Sequence, residues 1–100
     1  MKQARFTKAA RSELLAQTAY YEAVQTGLGA RFRTEVQAAA MRAAAFPEHG
    51  KSSAGGTRRR LVTHFPFSIV YSEFDGDILI HAVADARRLP DYWLGRLRGT

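Results

Sequence analysis

The stretch RRRLVTHFPFSIVYSEFDGDILIHAVA, residues 58–84, contains the strands that decide the fold. Apolar residues alternate with others over residues 67–73, whereas residues 78–84 are almost continuously apolar. The first pattern is typical of a half-buried strand and the second of a strand covered on both faces. Asp75 and Gly76, between the two, form a strong hairpin signal. The stretch therefore predicts three antiparallel strands, the first of which begins at the run of arginines.

The residues before this stretch have helical periodicity instead. Thr7 is a suitable N-cap for a helix that ends near Thr26, and Gly27 suits the left-handed residue that follows a helix. A second helix starts at once and must end near Phe46, because Pro47 disfavours helical geometry in the residue before it. Two helices with so short a link form an antiparallel hairpin. The predicted buried faces consist of Ala10, Leu14, Thr18, Tyr21 and Val24 in the first helix and Phe32, Val36, Ala39, Ala40 and Ala43 in the second.

Two shorter segments complete the order of elements. Residues 2–7 alternate well enough for a short N-terminal strand, and residues 47–57, PEHGKSSAGGT, have turn and loop chemistry throughout. The order β-α-α-β-β-β predicts an α+β fold with an N-terminal helical hairpin packed on one face of a curved antiparallel sheet. Because one hundred residues suit one compact core, we predict a single domain over residues 1–100.

The composition indicates a charged partner without identifying it. The net charge is +6 and the pI is about 10.3, and arginine carries most of the positive charge. Arginine binds phosphate or carboxylate oxygens two at a time, which indicates a nucleic acid or an acidic protein as partner. The alternative is a GC-rich genome, which favours both arginine and the abundant alanine of this chain. Charge totals do not separate the two explanations, so position along the chain must do so.

Several classes of site are not expected. The chain has no cysteine, which excludes disulfides, thiol nucleophiles and thiolate metal sites. His49, His64 and His81 have no ligand spacing, so we predict no metal site. No Gly-rich phosphate loop is present, so we predict no cofactor. No apolar run approaches the ~20 residues of a membrane span, and we predict a cytoplasmic protein.

Two groups of arginines flank the predicted sheet. In the run at the start of the first strand, alternate side chains point to opposite faces, so either Arg58 and Arg60 or Arg59 alone lies on the face without helices. A second pair follows the third strand, and we expect both groups at the same end of the sheet. The alternative interpretation is solvated charge at an exposed strand end. With the aromatic planes that follow, the predicted target-binding residues are Arg58, Arg60, Arg87, Arg88, Tyr92 and Trp93.

Seven pieces of the sequence, in order and with matching spacing, resemble the RelE/ParE toxin family over nearly the whole chain. They are AYYE (19–22), GLG (27–29) with Arg31-Phe32 and Glu35-Val36, Pro47, Arg58-Arg59, FPFSIVY (65–71), the apolar strand 78–83, and RRLPDYW (87–93). One position departs from the family pattern, since members with this tail commonly carry histidine where this chain has Asp85. Any role of that histidine therefore does not carry over to this chain.

The resemblance implies the toxin of a type II toxin–antitoxin system, with two different activities open. RelE-like members resemble ribosome-dependent mRNA endonucleases, whereas ParE-like members inhibit DNA gyrase. Ser68 stands where the nuclease pattern has an arginine, and serine cannot neutralise a developing phosphate charge. The sequence therefore favours gyrase inhibition. If the protein is a nuclease, Arg60, Arg88 and Tyr92 are the predicted catalytic residues. A third possibility is a decayed toxin that acts only in an antitoxin–DNA repressor complex.

The resemblance also implies a partner. A strongly basic chain with a small core should bind an acidic antitoxin, whose segment lies along the helical hairpin and the sheet edge. Tyr20, Phe32 and Arg33 are the predicted antitoxin contacts. We expect a hetero-oligomer that reaches operator DNA only through the antitoxin, with DNA gyrase or the ribosome as target and no membrane contact.

Overall fold

A five-stranded sheet with two helices on one face makes up the fold in the computed structural model, which describes residues 2–97. The elements follow in the order that the periodicity predicts, with one additional short strand. They are β1 (Ala4–Phe6), α1 (Lys8–Val24), α2 (Leu28–Ala45), β2 (Lys51–Ser52), β3 (Arg58–Leu61), β4 (Phe67–Phe74) and β5 (Asp77–Asp85).

The strands lie in the order β1-β5-β4-β3-β2. β3, β4 and β5 form the antiparallel meander, and both residues of the predicted turn, Asp75 and Gly76, have positive φ. β1 joins the sheet parallel to β5, with Ala4 beside Ile78. The predicted α+β fold is confirmed, and the sheet is mixed rather than wholly antiparallel. The alternation of residues 2–7 could predict a strand but not its direction, because pairing depends on distant residues.

The segment 47–57 is more regular than its composition predicts. It contains two 3₁₀ turns, Pro47–His49 and Ala54–Gly56, with β2 between them paired to β3. The Tyr71 hydroxyl donates to the carbonyl of Pro47 at 2.7 Å, which ties this segment to the middle of the sheet. The glycine and serine residues by themselves indicate only turns in this segment. Its regular structure depends on contacts with distant residues, such as the hydrogen bond from Tyr71.

The two helices are joined as predicted. The Thr7 hydroxyl accepts the Ala10 N–H at 3.1 Å, and Gly27 has φ of 90°. The Glu22 carboxylate accepts the N–H groups of Gly27 and Gly29 at 3.0–3.1 Å, so a negative charge caps the positive end of α2. Within residues 2–97, neither helix is long and apolar enough to cross a membrane.

Replacing Gly29 with alanine is expected to destabilise the protein, because the backbone of α1 leaves no room for a Cβ there. An added Cβ would lie 2.6 Å from the Thr18 carbonyl oxygen, a backbone atom that cannot move independently. Such overpacking costs roughly 1–3 kcal/mol, which outweighs the gain of up to ~1 kcal/mol in helix propensity. Urea denaturation measures the difference. Gly95→Ala is the control, since a Cβ at Gly95 meets no atom within 4 Å; equal stability of both variants would contradict the prediction.

The main core lies between the helical hairpin and the inner face of the sheet. Phe32 is 0% exposed and meets Phe65 and Phe67 with ring centroids 5.1 Å apart. The prediction that Phe32 contacts the antitoxin is therefore wrong, because its place in the apolar stripe of α2 buries it. Val24, predicted in the stripe of α1, is 60% exposed at the end of that helix.

A second, smaller cluster covers the outer face of the sheet. The chain folds back after β5, and Trp93 packs on Val70 and Ala82 with 2% of its surface exposed. The predicted binding role of Trp93 as an open aromatic plane is therefore wrong. A 3₁₀ turn, Leu94–Leu97, follows Trp93.

Candidate functional site

The candidate site lies on the outer face of the sheet, opposite the helices. Arg59 pairs with Val70, which belongs to the outer cluster, so Arg59 stands on this face. Arg58 and Arg60 pair with residues of the inner core instead. The Arg58 guanidinium donates to the carbonyl of Gly50 at 2.9 Å. Of the two alternatives that the alternation left open, Arg59 alone is correct, and the placement of Arg58 and Arg60 with the tail residues is wrong.

The expectation that both arginine groups lie at one end of the sheet is also wrong. β3 and β5 both run antiparallel to β4, so the start of β3 and the end of β5 lie at opposite ends. The groups meet for another reason: the chain after β5 folds back across the outer face. A cavity of about 140 Å³ results, lined by Arg59, Ser68, Arg88, Leu89 and Tyr92 among others.

Two exposed leucines lie beside these arginines. Leu89 lines the same cavity and is 81% exposed, while Leu61 pairs with Ser68 and is 75% exposed. Neither leucine could be identified from the sequence as a surface residue, because the exposure of each depends on the tertiary structure. We call the surface formed by Arg59, Leu61, Ser68, Arg88 and Leu89 the outer basic face.

The carboxylate of Glu13, on α1, ties the returning tail to the sheet. It accepts the Val83 N–H at 3.0 Å, the Tyr92 hydroxyl at 2.5 Å, and two hydrogen bonds from the Arg96 guanidinium at 3.0 Å. Burial and this hydrogen bond raise the pKa of Tyr92, in that order of importance, so the phenol stays protonated. Glu13 also escaped sequence analysis, because a single acidic residue in a helix resembles ordinary surface charge.

The backbone of β5 explains why Glu13 lies there. β1 pairs only as far as Ile80, and the register of β4 against β5 shifts so that His81 is an extra, bulged residue. Beyond that point the edge of β5 has no neighbouring strand. Glu13 accepts the N–H of Val83, and Arg96 donates to the carbonyl of His81 at 3.0 Å. Side chains of α1 and the tail therefore take the place of strand partners.

The two tail arginines have different surroundings. The Arg88 guanidinium lies 3.7 Å from the centroid of the Tyr92 ring and 3.8 Å from Glu13, yet its side chain is 55% exposed. Arg87 forms a bidentate pair with Asp85 at 2.8–2.9 Å, and this bonding lowers the pKa of the Asp85 carboxyl. Arg88 is thus presented to solvent in a fixed orientation. The charge of Arg87 is balanced by the residue that departs from the family pattern.

Comparison with known proteins decides the class. The sequence model described as "ParE toxin of type II toxin-antitoxin system, parDE" matches residues 4–90 of this chain. The chain belongs to the ParE toxin family. It is accordingly a toxin of the type II class, and the predicted RelE/ParE membership is confirmed.

The fold of this ParE-family toxin has a solved counterpart. A chain of the "Chromosomal ParDE TA system from P. aeruginosa" superposes with a TM-score of 0.76 at 16% sequence identity. The match covers 87% of this toxin and 98% of that chain. At this identity the likeness concerns the fold. No curated protein sequence matched this toxin.

The residues that the sequence predicted to contact the antitoxin lie on the helical hairpin. Tyr20 on α1 is 58% exposed, and Arg33 on α2 is exposed. Phe32, the third predicted antitoxin contact, is buried in the core. Among residues 2–97, no group of three or more potential metal ligands comes together.

Lowering the pH from 7.5 to 5 is expected to destabilise the toxin through His81. His81 is 7% exposed and shares a 2.8 Å hydrogen bond with Ser72, and burial lowers its pKa below the usual 6.5. Below pH 6.5 the unfolded chain therefore binds a proton that the folded protein resists, so the free energy of unfolding falls as the pH falls. Thermal melting at several pH values measures this loss. His81→Gln should lose less stability over the same range; parallel curves for the two proteins would refute the assignment to His81.

Proposed function

We propose that this toxin inhibits DNA gyrase by binding it through the outer basic face. The observation that carries the proposal is the pairing of two exposed arginines, Arg59 and Arg88, with two exposed leucines, Leu61 and Leu89. Arginine beside exposed apolar side chains suits a protein surface that is itself acidic and apolar. Within residues 2–97, Arg59 has no ion pair or hydrogen-bonded side-chain partner, so its charge is available to a target.

The surroundings of the aromatic residues support a protein target rather than RNA cleavage. Recognition of a single strand uses free aromatic planes for base stacking. Trp93 is buried, and one face of the Tyr92 ring is occupied by Arg88. The Tyr92 phenol donates to Glu13 and has a raised pKa, which disfavours its use as a general base. Ser68, at the position where the nuclease sequence pattern has an arginine, lines the cavity.

A direct comparison of two assays tests the target. Purified toxin is added to a gyrase supercoiling reaction and, separately, to ribosomes stalled on a defined message. We expect supercoiling to stop while the message stays intact. Cleavage of the message in the ribosomal A site, lost in Tyr92→Phe, would establish the RelE-like alternative and overturn the gyrase proposal. Inactivity in both assays, together with harmless expression in cells, would identify a decayed toxin.

We further propose that an acidic antitoxin neutralises this toxin in the cytoplasm, in a hetero-oligomer that reaches operator DNA only through the antitoxin. The net charge of +6 supports an acidic partner. β1 is an edge strand, and the groove between it and α2 is lined mainly by apolar groups, among them Phe6, Ala40 and Met41. An extended or helical segment of the antitoxin could cover this groove and reach Tyr20 and Arg33 on the hairpin.

The antitoxin proposal predicts that Arg33→Glu weakens neutralisation and leaves toxicity unchanged. A carboxylate at position 33 would repel an acidic partner, and Arg33 lies on the helical hairpin rather than the outer basic face. The toxin is co-expressed with its cognate antitoxin, and both rescue of growth and co-purification are scored. Arg11→Glu, an equal charge change at an exposed α1 position, is the control. Full neutralisation of Arg33→Glu would exclude Arg33 from the antitoxin contact.

A further inference from the structure

The hydrogen bonds of Glu13 join three separate parts of the chain. Its carboxylate accepts four hydrogen bonds from Val83, Tyr92 and Arg96. Val83 belongs to β5, while Tyr92 and Arg96 belong to the tail, and Glu13 itself lies on α1. Its side chain is 17% exposed, so these charge-assisted bonds form in partly desolvated surroundings, where they are stronger than at the surface.

An exposed residue depends on the same carboxylate. Arg88 stacks on the Tyr92 ring at 3.7 Å and has its Nη1 3.8 Å from the nearer Glu13 oxygen. Arg96 also lies over the Tyr92 ring, at 5.2 Å from its centroid. Two guanidinium groups are thus gathered around one phenol ring and one carboxylate. The negative charge of the carboxylate offsets the two positive charges gathered around the ring.

We propose that Glu13 is a positioning residue, whose carboxylate locks the returning tail onto the sheet and thereby holds Arg88 in place on the outer basic face. This inference rests on the proposed function only in assigning the outer basic face to the target. The buried or half-buried donors Val83, Tyr92 and Arg96 would suffice for a role in stability alone. The same carboxylate also lies 3.8 Å from Arg88, whose side chain is 55% exposed. Glu13 itself does not reach the outer surface and acts through Tyr92 and Arg88.

The fluorescence of Trp93, the single tryptophan of the chain, reports directly whether the tail is attached to the sheet. Trp93 follows Tyr92 immediately and is 2% exposed, so release of the tail transfers it to water. In Glu13→Gln we expect a red-shifted Trp93 emission and stronger quenching by acrylamide, with an unchanged far-UV circular dichroism spectrum. The tyrosinate titration should also shift, because the pKa of Tyr92 falls when the carboxylate beside it is lost. Glu48→Gln, at an exposed carboxylate outside the site, is the matched control.

Growth arrest in cells measures the functional consequence without assuming a target. We expect Glu13→Gln to need about tenfold more toxin for the same arrest, corresponding to about 1.4 kcal/mol in target binding. A shielded Trp93 in Glu13→Gln would overturn the inference, and so would a released Trp93 with undiminished arrest. If Glu13→Gln loses its secondary structure, Tyr92→Phe, which removes only the hydroxyl bond, is judged by the same two criteria. A wild-type toxin that arrests growth without inhibiting gyrase would defeat the proposed function and leave this test intact.

Discussion

Replacing both Arg59 and Arg88 with alanine is expected to lower gyrase inhibition by at least about thirtyfold, because well-placed interface arginines often contribute ~1–2 kcal/mol or more each. Arg59 projects from β3, and Arg88 approaches it from the tail across the cavity on the outer basic face. Their charges add little to the stability of the fold, since the Arg88 side chain is 55% exposed and Arg59 is exposed. Supercoiling assays over a range of toxin concentrations measure the loss, and thermal melting verifies that the variant folds.

The control removes the same charge elsewhere. Arg11 and Arg31 are exposed on α1 and α2 and lie outside the outer basic face. Their double alanine variant should inhibit gyrase like the wild type. If both double variants lose activity equally, net charge rather than the outer basic face determines inhibition. If neither does, the target binds another surface.

Replacing Trp93 with alanine is expected to cost about 3–5 kcal/mol of stability, the usual range for truncation of a large buried aromatic side chain. Trp93 covers Val70 and Ala82, which would otherwise be exposed on the outer face of the sheet. For a chain of one hundred residues this is a large part of the total stability. Denaturant unfolding followed by circular dichroism measures the change. Any loss of toxicity in this variant would follow from the loss of structure.

An exposed aromatic residue provides the comparison for Trp93. Phe74 ends β4 and is 65% exposed, so Phe74→Ala should cost well under half as much stability. A Trp93→Ala protein as stable as the wild type would show that the tail does not contribute to the core.

The sequence predicted an exposed Trp93, whereas the structure buries it, and the difference has a simple physical origin. An aromatic residue close to the end of a chain, next to arginine and proline, has no periodic pattern that would mark it as buried. Its burial depends on the tail folding back across a sheet whose outer face includes apolar Val70 and Ala82. Phe32 illustrates the opposite case. The periodicity that placed it in the buried stripe of α2 was correct, and its simultaneous assignment as a contact conflicted with that pattern.

The helices, the meander and the family membership followed from the sequence alone, because they rest on local signals. Side-chain periodicity, the Thr7 cap, the left-handed Gly27 and the Asp75-Gly76 turn all act over a few residues. The candidate site rests on contacts between distant parts of the chain. Glu13 meets Tyr92 and Arg96 across 79 and 83 residues, and Arg59 replaces Arg58 and Arg60 on the outer face through the register of β3 against β4. A shift of one residue in that register exchanges the two faces of a strand, and such a register is determined only when the tertiary structure forms.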